Sequence, residues 1–262
     1  MNQIPISNLT LNNKTFLGKG GEAEVYKVDS KTVAKIFKDS SHPDWMTPQD
    51  RNAASQKLVE YQNKLQMFPS GFPPNVIVPL DLITKKNYIV GYTMRLIDKG
   101  EVLKRYSEKT FRDKLGKDAN VITQIFKDLK SMVSSIHRTG TVIGDFNDLN
   151  VLVIDSSQKE EVFIIDSDSF QFGQFFTKVF TSRFVDPILC NPGVTVLNLS
   201  NPHTQMSDWY AFNVMLFQSL LFVHPYGGIY QPQNPIHPIR YPCTQHILIT
   251  VYRRIHPICF SK

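Results

Sequence analysis

Two apolar runs, Val-Leu-Val-Ile at 151–154 and Val-Phe-Ile-Ile at 162–165, stand on either side of the polar stretch Asp-Ser-Ser-Gln-Lys-Glu-Glu at 155–161. Each run has strand length and is rich in β-branched residues, so the pair reads as an antiparallel hairpin. In such a pair the residue before the first strand lies beside the residue after the second. Asn150 and Asp166 hold those two positions, so the hairpin is expected to bring an amide oxygen and a carboxylate together. Asp145, at the far end of the loop Gly-Asp-Phe-Asn-Asp-Leu-Asn (144–150), is available to the same place. Hard oxygen donors of this kind suit Mg2+, which takes one or two protein carboxylates and fills its shell with phosphate oxygens and water. On the hairpin alone, Asp and Asn residues that form turns and satisfy backbone N–H groups account for the pattern equally well.

The segments before the hairpin read as a sheet with one helix. KTFLGKG (14–20) and EAEVYKV (22–28) flank a glycine cluster, and TVAKIF (32–37) follows a turn at Asp29-Ser30-Lys31. RNAASQKLVEYQNKLQMF (51–68) places Ala54, Leu58, Tyr61, Leu65 and Phe68 on one helical stripe, which Pro69, Pro73 and Pro74 end. NVIVPLDLI (75–83) and NYIVGYTMRLI (87–97) read as two strands around a turn at Lys85-Lys86. Past Asp98 the period changes. ANVITQIFKDLKSMVSSIHRTG (119–140) is a helix with Val121, Ile125, Leu129, Met132 and Ile136 on one face and Gly140 placed to stop it. WYAFNVMLFQSLLFV (209–223) is short for a membrane span and suits a buried helix. From His224 onward the chain holds six Pro and little periodicity until ILITVYRRI (247–255).

These segments predict an α+β chain in two lobes. A small β-rich N-lobe takes 1–97, a larger, mostly helical C-lobe takes 98–262, and the junction falls near Ile97 to Gly100. A cleft between lobes is a default place for a ligand. The formal net charge of +6 comes from Lys and Arg that are spread along the chain, with no run of five. That is a solvated basic surface, so neither nucleic acid nor membrane is an expected partner of this domain. Cys190, Cys243 and Cys259 are widely separated and give neither a metal spacing nor a disulfide framework, which fits a reduced, cytoplasmic protein. The start MNQIPISNLTLNN lacks a basic segment followed by an apolar one, so no signal peptide is expected.

A second constellation lies in LGKGGEAEVYKV (17–28), where Gly18, Gly20 and Gly21 sit between two strand patterns and Val25 follows on the returning strand. A glycine-rich turn lets backbone N–H groups approach phosphates closely. It is neither a Walker loop nor a dinucleotide fingerprint, both of which open a helix. Ten residues after Val25, Lys35 stands in an apolar strand between Val33-Ala34 and Ile36-Phe37, and a lysine so placed needs an anionic partner or an exposed face.

The order of glycine-rich hairpin, VAKIF, one helix, two strands, a long helix, GDFNDLN and IIDSDSF resembles the protein kinase fold from about Phe16 to Gly228. The wording GDFNDLNVLV…FIIDSDSFQF is similar to a bacterial branch of kinase-like proteins, some of which carry a helix-hairpin-helix module. The resemblance implies a bilobal kinase-like fold with a shortened C-lobe, and an ATP- and Mg2+-dependent transferase acting on Ser or Thr of a protein substrate. It assigns nucleotide contacts to Gly18, Lys19, Gly20, Gly21 and Val25 in the first hairpin, and to Ala34 and Lys35 on the next strand. Met94 and Leu96 would belong to a hinge at 94–98 whose backbone meets adenine. Asp145 would orient the acceptor hydroxyl, and Asn150 and Asp166 would hold the metal. Asp208 would support the catalytic loop, and Glu60 is the best candidate for the helix acid that pairs with Lys35.

Several positions depart from the family pattern. Ala23 replaces the third loop glycine, Gly144 replaces the loop Arg, and Ile188 replaces the Glu that closes the activation segment. Asn147 stands where a Lys usually neutralises the γ-phosphate, a catalytic position, and Asp168 stands where the triplet glycine would be. The chain stops early after Gly228 for a full helical lobe, through shortening or as part of a longer protein. Two rival readings follow: a pseudokinase serving as a nucleotide-binding or scaffolding module, and a kinase acting on a small molecule. DSDS (166–169) resembles the opening of a calcium loop, but Gln171 and Thr177 occupy the positions that need Gly and Glu. His137, His203, His224 and His237 show no ligand spacing, and Ser156 and Ser169 lack the setting of an activated nucleophile.

Overall fold

The computed structural model describes residues 1–156, 159–191, 194, 196–226, 228–229 and 240–241. ILITVYRRI, His237, Cys243 and Cys259 therefore lie outside the described residues. The protein is a mixed α+β chain that divides into two units. The first holds Met1–Lys99 together with Ile165–Asp168; the second holds Gly100–Ile164 and Ser169–Lys262.

The first unit is a six-stranded sheet with one long helix. Its strands are β1 (Gln3–Pro5), β2 (Phe16–Lys19), β3 (Ala23–Lys27), β4 (Thr32–Phe37), β5 (Leu82–Lys85) and β6 (Tyr88–Arg95), in the spatial order β1-β5-β6-β4-β3-β2. β4 is central and pairs antiparallel with both β3 and β6, so Lys35 lies opposite Val25 on one side and Tyr92 on the other. β1 joins the edge parallel to β5, an addition that its three residues do not announce. The turn between β5 and β6 is Lys86-Asn87, one residue later than expected. Both residues are left-handed (φ 51° and 65°), the geometry of a two-residue hairpin turn, and Asn tolerates it well. NVIVPLDLI forms a strand only at its end, from Leu82.

Helix α1 (Pro48–Lys64) starts earlier than its stripe suggests, because Thr47 and Asp50 form a reciprocal capping box with Pro48 at the first position. It buries Ala54 and Tyr61, and the following Leu65 is also buried. Tyr61 and Leu65 join Phe37, Leu82, Ile89 and Tyr92 in one core, where the Phe37 ring lies 4.4 Å from Tyr61 and 5.9 Å from Tyr92.

The second unit is built on helix α4. A short strand β7 (Glu101–Val102) leads to α2 (Leu103–Tyr106), α3 (Lys109–Leu115) and α4 (Ala119–Arg138). Asp118 caps α4 by accepting from the backbone N–H groups of Asn120 and Val121, and left-handed Gly140 follows its end. Strands β8 (Val151–Asp155) and β9 (Glu160–Ile164) form the expected hairpin, with β7 completing a three-stranded sheet. Its register sets Val151 opposite Ile164. Helix α5 (Gln205–Leu221) begins four residues before the apolar run, because Thr204 and Ser207 cap it reciprocally. Ile125, Leu129 and Ile136 of α4 are fully buried, and Phe126 meets Phe212 of α5 edge-on at 5.3 Å. No described helix is long and apolar enough to cross a membrane.

Leu129 is fully enclosed, so Leu129→Ala is expected to lower stability by about 2–5 kcal/mol. Exposed Lys130→Ala on the same helix should stay within about 0.5 kcal/mol. Urea unfolding followed by circular dichroism checks both.

Candidate functional site

In the first unit the chemistry gathers around Lys35. Its position in the central strand leaves the residue 8% exposed, and an ammonium buried that far must be neutralised. Two carboxylates do so. Asp166 is in direct ion-pair contact with Lys35 Nζ, and Asp168 Oδ1 lies 2.6 Å from it. Burial works against the ammonium, but the charges of Asp166 and Asp168 outweigh it and hold the Lys35 pKa above the ordinary lysine value. For Asp168 burial pushes upward, and the adjacent Lys35 with the Tyr92 hydroxyl brings the net shift below the ordinary carboxylate range.

Asp168 is the most elaborately held group of the cluster. The Tyr92 hydroxyl donates to Oδ1 at 2.6 Å, the Tyr61 hydroxyl donates to Oδ2 at 3.2 Å, and Lys64 Nζ donates to the backbone carbonyl at 2.7 Å. Burial and then the Asp168 charge push both tyrosines well above their ordinary pKa, so each remains a hydrogen-bond donor at neutral pH. Burial lowers Lys64 to about 8. Ser167 Oγ donates to Ile77 O at 2.7 Å, fixing the segment between the two aspartates. Asp166 itself adopts a left-handed backbone (φ 65°), which Asp accommodates more readily than most residues.

This arrangement corrects one expectation. Glu60 is exposed and is not a partner of Lys35; the counter-charge comes from Asp168. Glu60 falls on the outer side of α1, whereas Tyr61 and Lys64, one and four residues on, face inward and are buried. Asp168, a departure when compared with a glycine, fills the place that a helix acid would have taken.

The glycine turn lies at the ends of β2 and β3. A Cβ built on Gly18 or Gly21 would meet nothing within 4 Å, so packing within the chain does not demand glycine there. Lys38 Nζ holds the turn by donating to Gly20 O (2.6 Å) and Gly21 O (3.1 Å) and pairing with Asp44 (2.7 Å). Lys19 also pairs with Asp44, at 3.0 Å. On the neighbouring strands Ala34 is fully buried, while Val25 and Met94 are half-buried. The Leu96 N–H, assigned by resemblance to a hinge, donates to Lys31 O at 2.7 Å.

In the second unit the loop at 144–150 hangs on a buried carboxylate of α5. Asp208 is fully buried; it accepts from Ile143 N (2.8 Å) and Gly144 N (3.0 Å), and His137 Nε2 lies 2.8 Å from its Oδ2. Gly144 is required by this geometry. Its φ is 79°, and a Cβ there would come 2.5 Å from Thr177 Cγ2, so the Arg of the family pattern does not fit. Asn147 is 2% exposed and spends its amide inside the loop, donating to Asp145 O (3.0 Å) and accepting from Leu149 N (2.9 Å). It braces the loop from within. Asn150 Nδ2 also donates to Asp145 O, at 2.9 Å, leaving its amide oxygen as the remaining acceptor. The Asp145 carboxylate accepts from the Thr181 hydroxyl at 2.8 Å.

Neither a protein-family model nor a curated protein matches the chain. Within the first unit Lys35, Asp166 and Asp168 come together; within the second, Asp145, Asn147 and Asn150 share one loop anchored by Asp208. Sequence reasoning missed Asp168, Tyr61, Tyr92 and Thr181 as members of these clusters. For the tyrosines the signal was present, since Tyr92 and Tyr61 sit in apolar strand and helix patterns and each adds a hydroxyl that burial obliges to find a partner. Thr181 carries no comparable signal in the chain. Among the described residues no group of three His, Cys, Asp or Glu forms a metal cluster.

Breaking a buried ion pair strands a charge, so Asp168→Asn is expected to cost about 3–5 kcal/mol at pH 7, while Glu60→Gln stays within about 0.5 kcal/mol. Because the folded Asp168 pKa is depressed, its contribution is complete above the unfolded value near 3.9 and is lost as pH falls below it. The stability gap between wild type and Asp168→Asn should therefore narrow below about pH 4. Urea titrations across pH measure it.

Proposed function

We propose that this chain is a kinase-like phosphotransferase that uses ATP and Mg2+ and phosphorylates Ser or Thr of a protein. The observation that carries the reading is the Lys35 cluster: a buried lysine in a central strand, braced by Asp168 and in contact with Asp166, in the same unit as a glycine turn that internal packing does not require. A braced ammonium is a fixed point charge suited to phosphate oxygens, and the open space over Gly18 and Gly21 admits a phosphate to the backbone N–H groups. In the second unit, Asp145 already accepts a hydrogen bond from a threonine hydroxyl, the interaction an acceptor serine or threonine would make.

In this reading Lys35 and the glycine turn position the triphosphate. Asp145 accepts the hydrogen bond of the incoming hydroxyl, whose oxygen forms the new bond to the γ-phosphorus as the bond to the β–γ bridging oxygen breaks and ADP leaves. The hydroxyl proton passes to Asp145. Asp166 offers a carboxylate and Asn150 an amide oxygen, the hard donors that Mg2+ prefers, and the ion would neutralise charge on the phosphates. Asp208 acts by holding the Asp145 loop. With Asn147 committed to that loop, γ-phosphate charge is left to Lys35 and Mg2+, which implies a modest rate.

Transfer of label from γ-labelled ATP to the chain or to a generic protein substrate tests the reading. Wild type should incorporate phosphate, and Lys35→Met and Asp145→Asn should each lower the rate by roughly 100-fold or more. Equal, background incorporation by all three would end the phosphotransferase claim, and ATP with Mg2+ raising the melting temperature without transfer would favour a nucleotide-binding module.

A further inference from the structure

A cavity of about 240 Å3 opens in the first unit beside the glycine turn and α1. Its walls are the rings of Phe37, Trp45 and Tyr61 and the methyl groups of Ala53 and Ala54. The space exists because α1 presents two consecutive alanines where larger side chains would fill it. Its volume exceeds the roughly 150 Å3 that accommodates benzene and falls below the roughly 300 Å3 at which pockets for drug-sized molecules begin. One or two fused rings match that size.

The polar lining limits the charge of the occupant. Lys38 is spent, because Gly20 O, Gly21 O and Asp44 take its three donors. Asp50 is committed to the capping box with Thr47. Lys57 pairs with Glu22, its one carboxylate partner among the described residues, and that pair is partly exposed, with side-chain accessibilities of 27% and 44%. An ammonium has three donors, so Lys57 can receive a second anion or exchange Glu22 for it at small cost. Two of the rings already lie under the protein's own cations, Lys38 over Trp45 at 5.9 Å and Lys57 over Tyr61 at 5.5 Å, which disfavours a cationic occupant.

We propose that this cavity binds a small aromatic carboxylate, with its ring among Phe37, Trp45 and Tyr61 and its carboxylate on Lys57. Binding does not depend on the phosphotransfer reading, and its test contains no nucleotide. Indole-3-acetate and its neutral analogue indole-3-acetamide are titrated into the full chain by calorimetry. Wild type should bind the carboxylate about fivefold more tightly than the amide, as expected for a partly exposed charge pair. Lys57→Gln should erase that preference while retaining amide binding. Ala53→Leu, at an exposed position where leucine is a good helix former, should weaken both probes by about tenfold by filling the space. No saturable heat from either probe at millimolar concentration, equal affinities in wild type, or full affinity in Ala53→Leu would each overturn the proposal.

Discussion

A lysine in the middle of a sheet must be neutralised, and the first unit is organised around that requirement. Lys35 sits on the strand flanked by β3 and β6, largely shielded from solvent, and its ammonium finds Asp166 and Asp168 more than 130 residues along the chain. Desolvating three charges costs more than their attraction returns unless the remaining polar atoms are also satisfied. The tyrosine hydroxyls on Asp168 and the lysine on its carbonyl supply that satisfaction. Gly91, beside this strand, has a related reason: a Cβ there would come 2.2 Å from Lys35 O, so β6 can approach the lysine strand only as glycine.

The second unit solves the same problem by different means. Asp208 is as deeply buried as any described residue, and no lysine or arginine pairs with it among those residues. Two backbone N–H groups and an imidazole share its charge. Hydrogen bonds from backbone N–H groups stabilise a carboxylate without lysine or arginine beside it. The loop that carries Asp145 is thereby tied down through its backbone at Ile143 and Gly144, and the amides of Asn147 and Asn150 brace it from within by meeting on the Asp145 carbonyl. A loop held this way keeps its backbone in place without an arginine, and left-handed Gly144 is part of that hold.

Much of this was legible in the residues. The strand containing Lys35 has the bounds that its apolar pattern gave, and the stripes marked for α1 and α4 are buried apart from half-buried Leu58, Phe68 and Val121, although Leu65 and Phe68 lie past the end of α1. That Lys35 needs either an anionic partner or an exposed face followed from its neighbours alone, and burial decides for the partner. The identity of that partner did not follow from those neighbours. Glu60 was the acid at plausible sequence distance, but one residue of helix is a turn of 100°, enough to separate an exposed Glu60 from a buried Tyr61. Asp168 was visible only as a misfit. The helix starts at Thr47 and Thr204 were also overlooked, because caps are polar and lie outside the apolar runs that guided the reading.

The sequence by itself determined the types of the main elements and the presence of a lysine in an apolar strand, because side-chain period and local charge are properties of short stretches. The tertiary structure decided which acid meets that cation, why Gly144 is glycine, and that Asn147 braces a loop, because each depends on atoms brought together from distant positions. Asp168 reaches Lys35 across 133 residues, and Thr177 crowds Gly144 from 33 residues away. No local pattern encodes such approaches; they are set where burial forces every polar group to find a partner.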